Sequence, residues 1–406
     1  MSAPRTVAQV RATIATLATP VQGVERVAVR SALDRILAAD LISPVDVPAH
    51  DNSAMDGYAV RSAELAASGP TVLRIAGTAR AGVPFTGTAA PSEAVRIMTG
   101  ALMPAGFDTV VPQELVSVDG GLLSLPAGQR AGQHRRRRGE DLSRGKPALP
   151  AGTRITPADL GLLASLGFAE VSVRRRLRVA FFSTGDELRP VGEPLAPGQL
   201  HDSNRYTLWG MLTRLGALPI DLGGVRDDPA ALEAALGSAA ASADVVISSG
   251  GVSVGDADFT REVAGRLGDV EFCSVAMRPG RPLAFGRIGQ AAYFGLPGNP
   301  VAVMTSFYFI VRDALLKMMG ARPEPLAFVR ARARAEFRKR PGRTEYPRAR
   351  LQHEADGTMS VRPVGNQGSG VLSSMSEANC IVVLDDAQQS VAIGDAVDCI
   401  AFDGLV

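Results

Sequence analysis

Between residues 178 and 320 apolar runs of strand length alternate with helical patterns, and glycine closes several of the units. RVAFFST reads as a buried strand, and NRYTLWGMLTRLG as a helix stopped by Gly216. ALPIDLGGV is a strand, and PAALEAALGSAAA is a helix with Asp228 as its N-cap and Pro229 in its first turn. DVVISSGG is a strand running into a glycine loop. DFTREVAGRLG is a helix, VEFCSVAM and PLAFGRI are strands, and PVAVMTSFYFIVRDALLKMMG is a long helix ending at Gly320. Near-continuous apolar strands alternating with helices predict a doubly wound α/β domain whose parallel sheet is covered on both faces. Trp209, beside Leu208 and Leu212, reads as core.

The rest of the 406 residues divides around this domain. VAQVRATIATLA and RSALDRILAADL both carry helix-spaced apolar residues, separated by the strand-like VERVAVR. TVLRIAG, AVRIM, TVVPQE and LLSL are short β-prone runs punctuated by Gly and Pro. Thr156-Pro157 opens a further apolar helix that Gly167 closes, and FVRARARAEF alternates apolar with basic residues as a half-exposed strand does. The expected architecture is α/β multidomain. A discontinuous N-terminal helical segment covers 1–44 and 140–176, an inserted β domain 45–139, the α/β domain 177–322, and a small C-terminal β domain 323–406.

Lys plus Arg number 43 against 41 Asp plus Glu, so no global field favours nucleic acid. No apolar run is long enough to span a bilayer, and MSAPRTVAQV lacks the basic-then-apolar order of a signal peptide. A cytoplasmic protein is expected. Cys273, Cys380 and Cys399 are too scattered for a disulfide framework or a metal knuckle, and four histidines without helical pairing disfavour a His-built metal site.

In open parallel sheets ligands bind beyond the carboxyl ends of the strands. Three loops leave such ends. Gly185-Asp186-Glu187 follows RVAFFST. Ser249-Gly250-Gly251-Val252-Ser253-Val254-Gly255-Asp256-Ala257-Asp258 follows DVVIS. Leu296-Pro297-Gly298-Asn299-Pro300 opens the long helix. Glycine lets the backbone approach a ligand, and the free N–H groups of a helix start favour an anion. Neither a GxxxxGK[ST] nor a GxGxxG pattern is present. Asp186, Glu187, Asp256 and Asp258 lie in these loops, and Asp227-Asp228 end a neighbouring strand; Asp258 is equally readable as a helix cap. Carboxylates beside phosphate call for a cation between them, and without a His or Cys cluster Mg²⁺ on oxygen ligands is the natural choice. Arg278-Pro279-Gly280-Arg281-Pro282 offers two guanidiniums on a stiffened turn, suited to an oxyanion. The run Arg135 to Arg138, without interleaved aromatics, suits an anionic small molecule or an interface better than nucleic acid. Asp51-Asn52-Ser53-Ala54-Met55-Asp56-Gly57-Tyr58-Ala59 and Thr99-Gly100 have no assigned chemistry at this level, since turns explain them.

In order and spacing, DNSAMDGYAV, RIMTGA, RRRGEDLS, FFSTGDEL, SSGGVSVGDAD, RPGRP and FGLPGNP resemble the molybdopterin molybdenumtransferase family, MoeA-type, which includes the E domain of gephyrin. The likeness runs nearly end to end and weakens over the last eighty residues, where GNQGSG and SSMSEANC still fit. It implies a transferase that inserts molybdate into adenylylated molybdopterin with Mg²⁺ and releases AMP. It also implies an elongated homodimer whose active site is shared across the interface, with a molybdopterin adenylyltransferase and molybdoenzyme maturation proteins as candidate partners. Carried over motif by motif, the functional positions are Asp56, Thr99, Asp141, Glu187, Asp227 and Asp258. Glu187, Asp227 and Asp258 would hold the metal. Asp56, Thr99 and Asp141 would act from across the dimer. Ser249, Gly250, Gly251, Ser253, Gly255, Arg278, Arg281, Pro297, Gly298 and Asn299 would bind substrate and phosphate. Cys273-Ser274-Val275 lacks a lysine common in the family, and Arg278 and Arg281 stand where lysine is common. The rival readings are a non-catalytic scaffold like the gephyrin E domain and a molybdopterin adenylyltransferase. The acidic and hydroxyl positions disfavour the first, and the motifs outside the α/β domain disfavour the second.

Overall fold

The computed structural model describes residues 3–252 and 259–405. At its centre lie six strands: β1 (Arg178–Thr184), β2 (Leu218–Val225), β3 (Val245–Ser249), β4 (Gly268–Ser274), β5 (Pro282–Ile288) and β6 (Ala291–Leu296). Their order is β2-β1-β3-β6-β5-β4. The first four are parallel, β5 runs antiparallel to both its neighbours β6 and β4, and β4 returns to the common direction, so the sheet is mixed where a parallel one was expected. The reason is loop length. Only Gly289 and Gln290 separate β5 from β6, which suffices for a hairpin, whereas a parallel crossover needs a dozen residues or more. The reversal matters for the site. It brings the end of β4 and the start of β5 to the edge where the parallel strands have their carboxyl ends.

Helices cover both faces: α1 (Asn204–Leu215), α2 (Pro229–Ser242), α3 (Phe259–Leu267), α4 (Pro300–Ser306) and α5 (Arg312–Met318), the last two joined by a π-helical stretch, Phe307–Val311. Val179 and Phe181 of β1 enter one core with α1 and the α4–α5 helix, while Ala180 and Phe182 enter the other with α2 and α3. Alternate residues of one strand thus bury on opposite sides, which is why its sequence is apolar throughout. Helix α1 buries Leu208, Met211, Leu212 and Leu215, a stripe at i, i+3, i+4 and i+7. Trp209 lies one residue off that stripe and is 53% exposed, which corrects its reading as core. Asp228 caps α2 as expected, accepting from Ala231 N at 2.9 Å.

The N-terminal helix Val7–Leu17 sends Val10 and Ile14 into the core of the central sheet rather than into a separate helical unit. The second expected helix, RSALDRILAADL, does not form. Only a 3₁₀ turn, Val29–Ser31, appears, and Asp34 takes a positive φ of 60°. Ile36 and Leu37 enter different cores and bridge Arg154 and Val173, so tertiary pairing overrides the helical spacing with a strand-like one. Strand Val24–Ala28 pairs with Glu170–Arg174, joining residues on either side of the insertion. Thr156 caps the helix Pro157–Ser165, and Gly167 follows it at φ 80°.

The inserted β module is a six-stranded sheet spanning Gly57–Val60 to Leu122–Leu125 in sequence. The C-terminal strands, Val329–Ala333 to Ala396–Ala401, close into a five-stranded barrel with Cys380 and Cys399 in its core. Tyr346 fastens the barrel to the central unit by stacking on Phe309, ring centroids 4.0 Å apart. Among the described residues no helix is long and apolar enough to cross a membrane.

The two faces of α1 should respond differently to substitution. Leu212→Ala is expected to cost about 2–5 kcal/mol, and Trp209→Ser less than about 1 kcal/mol, in urea unfolding followed by far-UV circular dichroism.

Candidate active site

A cavity of about 760 Å³ opens at the carboxyl edge of the sheet. Thr184, Gly185 and Glu187 line it from beyond β1, Asp227 from beyond β2, and Gly250, Gly251 and Val252 from beyond β3. Pro297, Gly298 and Asn299 enter from beyond β6, and Arg278 to Pro282 from the turn joining β4 to β5. The structure therefore brings together most of the loops singled out from sequence. Ser253, Gly255 and Asp258 lie outside the described residues.

The glycines here serve close approach. Gly250 has φ 97°, and a Cβ on it would sit 2.5 Å from the Thr184 carbonyl oxygen; one on Gly251 would sit 2.0 Å from Thr260 Oγ1. Asn204, at the start of α1, ties two loops together. Its Nδ2 donates to Ser249 Oγ at 2.8 Å and to the Gly298 carbonyl at 2.7 Å. Ser249 is thus buried in this brace and does not line the cavity.

One side of the cavity is acidic. Asp227 N donates to Asp186 Oδ1 at 3.3 Å, and the Asp227 Oδ1 atom is buried without a hydrogen-bond partner. Burial, followed by the charges of Asp186 and Glu187, holds the Asp227 carboxyl above the usual carboxylate range. An orphaned oxygen among like charges is the environment that a hard cation relieves. Among the described residues no three His, Cys, Asp or Glu side chains meet closely enough to hold an ion alone. A cation held by the described residues alone would complete its coordination with ligand oxygens or water.

The facing side is basic. Arg281 Nε donates to Ser274 Oγ at 2.8 Å, so the serine in the lysine-free segment anchors a guanidinium. Arg278 is 57% exposed and stands 4.0 Å from Glu345. Sequence reading missed the contribution of the C-terminal domain: Arg343, Gln367, Gly368 and Ser369 complete the wall. The glycine-rich GNQGSG was the available signal. Arg348 holds that loop in place. Only 1% exposed, it donates from Nε to Ser374 Oγ and from Nη2 to the carbonyls of Asn366 and Gly368. Burial and the neighbouring Arg278 push its pKa down to about 10. Asn299 Nδ2 meets Ser369 Oγ at 3.1 Å, and Val301 N donates to the Ser369 carbonyl, so the loop seats on the first turn of α4. Burial pushes the Cys273 thiol to about 11, leaving it protonated at neutral pH.

Asp56, Thr99 and Asp141 do not line this cavity. Asp56 Oδ1 accepts from Thr99 N at 2.7 Å and Thr99 Oγ1 at 2.8 Å, which lowers its pKa. Asp141 N donates to the Val47 carbonyl at 3.0 Å. Part of the arginine run is engaged within the chain, through Arg135 and Arg138. Arg135–Arg136 pairs with Asn52–Ser53 as a two-stranded ribbon, Arg135 faces Asp51 at 3.5 Å, and Arg138 binds Asp46 at 2.6 Å.

Three family models cover nearly the whole chain: MoeA N-terminal region (domain I and II) at residues 5–167, probable molybdopterin binding domain at 180–317, and MoeA C-terminal region (domain IV) at 330–402. Molybdopterin molybdenumtransferase of Haemophilus influenzae is 42% identical over 380 residues, covering 93% of each chain. The Bacillus subtilis protein of that name is 35% identical over 92% of this chain and 88% of its own. The crystal structure of a molybdopterin biosynthesis MoeA protein from Pyrococcus horikoshii superposes with a TM-score of 0.86 at 25% identity, covering 98% of this chain and 100% of that one. The chain belongs to the molybdopterin molybdenumtransferase family, MoeA-type, a family of transferases.

Proposed function

We propose that this protein inserts molybdenum into molybdopterin, taking molybdate and adenylylated molybdopterin and releasing AMP. The observation that carries the reading is the polarity of the cavity. Glu187 and the orphaned Asp227 stand on one side, and Arg278, Arg281 and Arg343 on the other, in a volume of about 760 Å³. A pyrophosphate carries charge that arginines neutralise directly and that carboxylates bind only through a cation. Glu187 and Asp227 would hold Mg²⁺, with Asp258 as the third carried-over ligand, and the ion would supply charge neutralisation at the pyrophosphate. Arg278 and Arg281 would orient the phosphates or the incoming oxyanion. Water cleaves the P–O–P linkage, so that one phosphate stays on molybdopterin and the other leaves as AMP. The dithiolene sulfurs that receive molybdenum would belong to the substrate, and among the described residues no cysteine lines the cavity.

The second part of the proposal is a homodimer in which Asp56, Thr99 and Asp141 of one protomer complete the cavity of its partner. Support comes from Asp56 itself: two hydrogen bonds hold it ionised at a place where its own chain's cavity makes no use of it.

Wild-type protein should release AMP from adenylylated molybdopterin in a reaction requiring both Mg²⁺ and molybdate. Asp227→Asn should lose at least about tenfold in rate. Tight substrate binding without AMP release by the wild type would refute the insertase reading. Mixing Asp56→Ala with Asp227→Ala chains should restore about a quarter of the wild-type activity, because half the dimers are mixed and each carries one intact site. No recovery, despite mixed dimers confirmed by mass spectrometry, would refute the shared site.

The raised Asp227 carboxyl sets a pH dependence. A carboxyl whose folded pKa lies above its unfolded value destabilises the fold once ionised, so this cost is absent at low pH and grows as pH rises through the folded pKa. Asp227→Asn is therefore expected to raise the unfolding temperature at pH 7 in the absence of Mg²⁺. The gain should disappear as pH falls through the carboxylate range, as read by scanning calorimetry.

A further inference from the structure

The basic side of the cavity is assembled from two domains, and a buried carboxylate lies behind it. Residues Met277–Arg278 pair in parallel with Thr344–Glu345 of the C-terminal domain, with Thr344 N donating to the Ala276 carbonyl and Tyr346 N to the Arg278 carbonyl, each at 2.9 Å. The pairing delivers the Glu345 carboxylate, 7% exposed, between two cavity-lining arginines. Arg343 Nε and Nη2 both lie 2.9 Å from its Oε1, whereas Arg278 Nη1 is 4.0 Å from Oε2. The first contact is a hydrogen-bonded ion pair that fixes Arg343. The second is too long for a hydrogen bond and acts through charge alone. Among the described residues no hydrogen bond occupies the Arg278 guanidinium, so its donors are unspent where the residue borders the cavity and the neighbouring one lined by Glu345 and Arg348.

We propose that Glu345 is the built-in counter-ion of the anion cavity, a positioning residue that fixes Arg343 and lowers the affinity of the Arg278–Arg343 pair for oxyanions to a level from which product can leave. The proposal rests on the anion-binding reading of the cavity given above. An incoming oxyanion meets two guanidiniums whose combined charge one carboxylate has already reduced, and that carboxylate, which stands behind them and does not line the cavity, acts on it through charge. Buried as it is, Glu345 is poorly screened by salt.

The test is calorimetric binding of molybdate, inorganic pyrophosphate and perrhenate to wild-type protein and to Glu345→Gln, which keeps shape and an acceptor for Arg343 but removes the charge. Because the electrostatic gain scales with ligand charge, molybdate should bind about tenfold tighter and the monoanion perrhenate only about threefold tighter. A purely structural role would lower the unfolding temperature without a charge-graded gain. Unchanged or weaker molybdate binding by a Glu345→Gln protein that unfolds at the wild-type temperature overturns the proposal. Should that variant not fold, Arg343→Gln/Glu345→Gln removes the pair together and leaves the net charge of the cavity unaltered. Molybdate affinity within about threefold of wild type then supports the counter-ion, and a larger loss overturns it. If wild-type protein binds neither molybdate nor pyrophosphate, the anion-binding reading falls as well. Binding that is indifferent to position 345 sinks the counter-ion alone.

Discussion

Like charges gathered at one edge of a sheet repel, and the layout of this site follows from that constraint. Asp186, Glu187 and Asp227 come from two adjacent strand ends, and Asp227 carries the consequence in a raised pKa and an oxygen without a partner. Such an arrangement persists only where the surrounding fold over-determines it. Here the determinants are identifiable. The Asp227 amide donates to Asp186, Asn204 locks the Ser249 and Gly298 loops together, and Gly185 allows the Glu187 carboxylate to fold back over the backbone where a Cβ would lie 2.6 Å from it. The folded protein tolerates unpaired acid at the site because its two large cores, one on each sheet face, supply stability elsewhere.

The basic half depends on a reversal in strand direction. Were β5 parallel to β6, its start would lie at the opposite edge of the sheet, and the Arg278–Arg281 turn would face away from the acidic loops. The two-residue hairpin at Gly289–Gln290 forbids that. A short loop far from the chemistry therefore decides that acid and base share one cavity. The C-terminal domain then adds its own wall through two-residue pairing at Met277–Arg278 and the Tyr346–Phe309 stack, so the cavity is complete only when two domains are docked.

What the sequence discloses follows these physical levels. Strands buried on both faces, helices stopped by glycine, and the Asp228 and Thr156 caps are local signals, and each is realised in the fold. RSALDRILAADL fails as a helix because Ile36 and Leu37 are claimed by two different cores, a demand that its own spacing does not express. Trp209 fails as core because one residue of rotation, about 100°, separates a buried stripe from solvent. At the site, glycine loops and carboxylates at strand ends are visible in the sequence. The contribution of Arg343 and Gln367–Ser369 is not, because their approach depends on the docking of a domain whose strands say nothing about where the barrel sits. Asp56 and Thr99 are singled out only through family resemblance, and their hydrogen-bonded pair lies outside the cavity of their own chain.

The arginines at the site fit a chain-wide preference. The protein has only three lysines, Lys146, Lys317 and Lys339, and none of them lines the cavity. Where a lysine ammonium acts as a mobile point charge, a guanidinium is a planar fork whose usefulness depends on its orientation. Fixed acceptors stand beside two of the three forks in the cavity and beside the buried Arg348 behind it, while Arg278 is held by charge alone. Ser274 supplies one to Arg281, Glu345 supplies one to Arg343, and Ser374 with two loop carbonyls supplies them to Arg348. The serine in the lysine-free segment thus has a physical role of its own. It orients the Arg281 guanidinium, beside the Arg343 that the C-terminal domain brings to the same cavity.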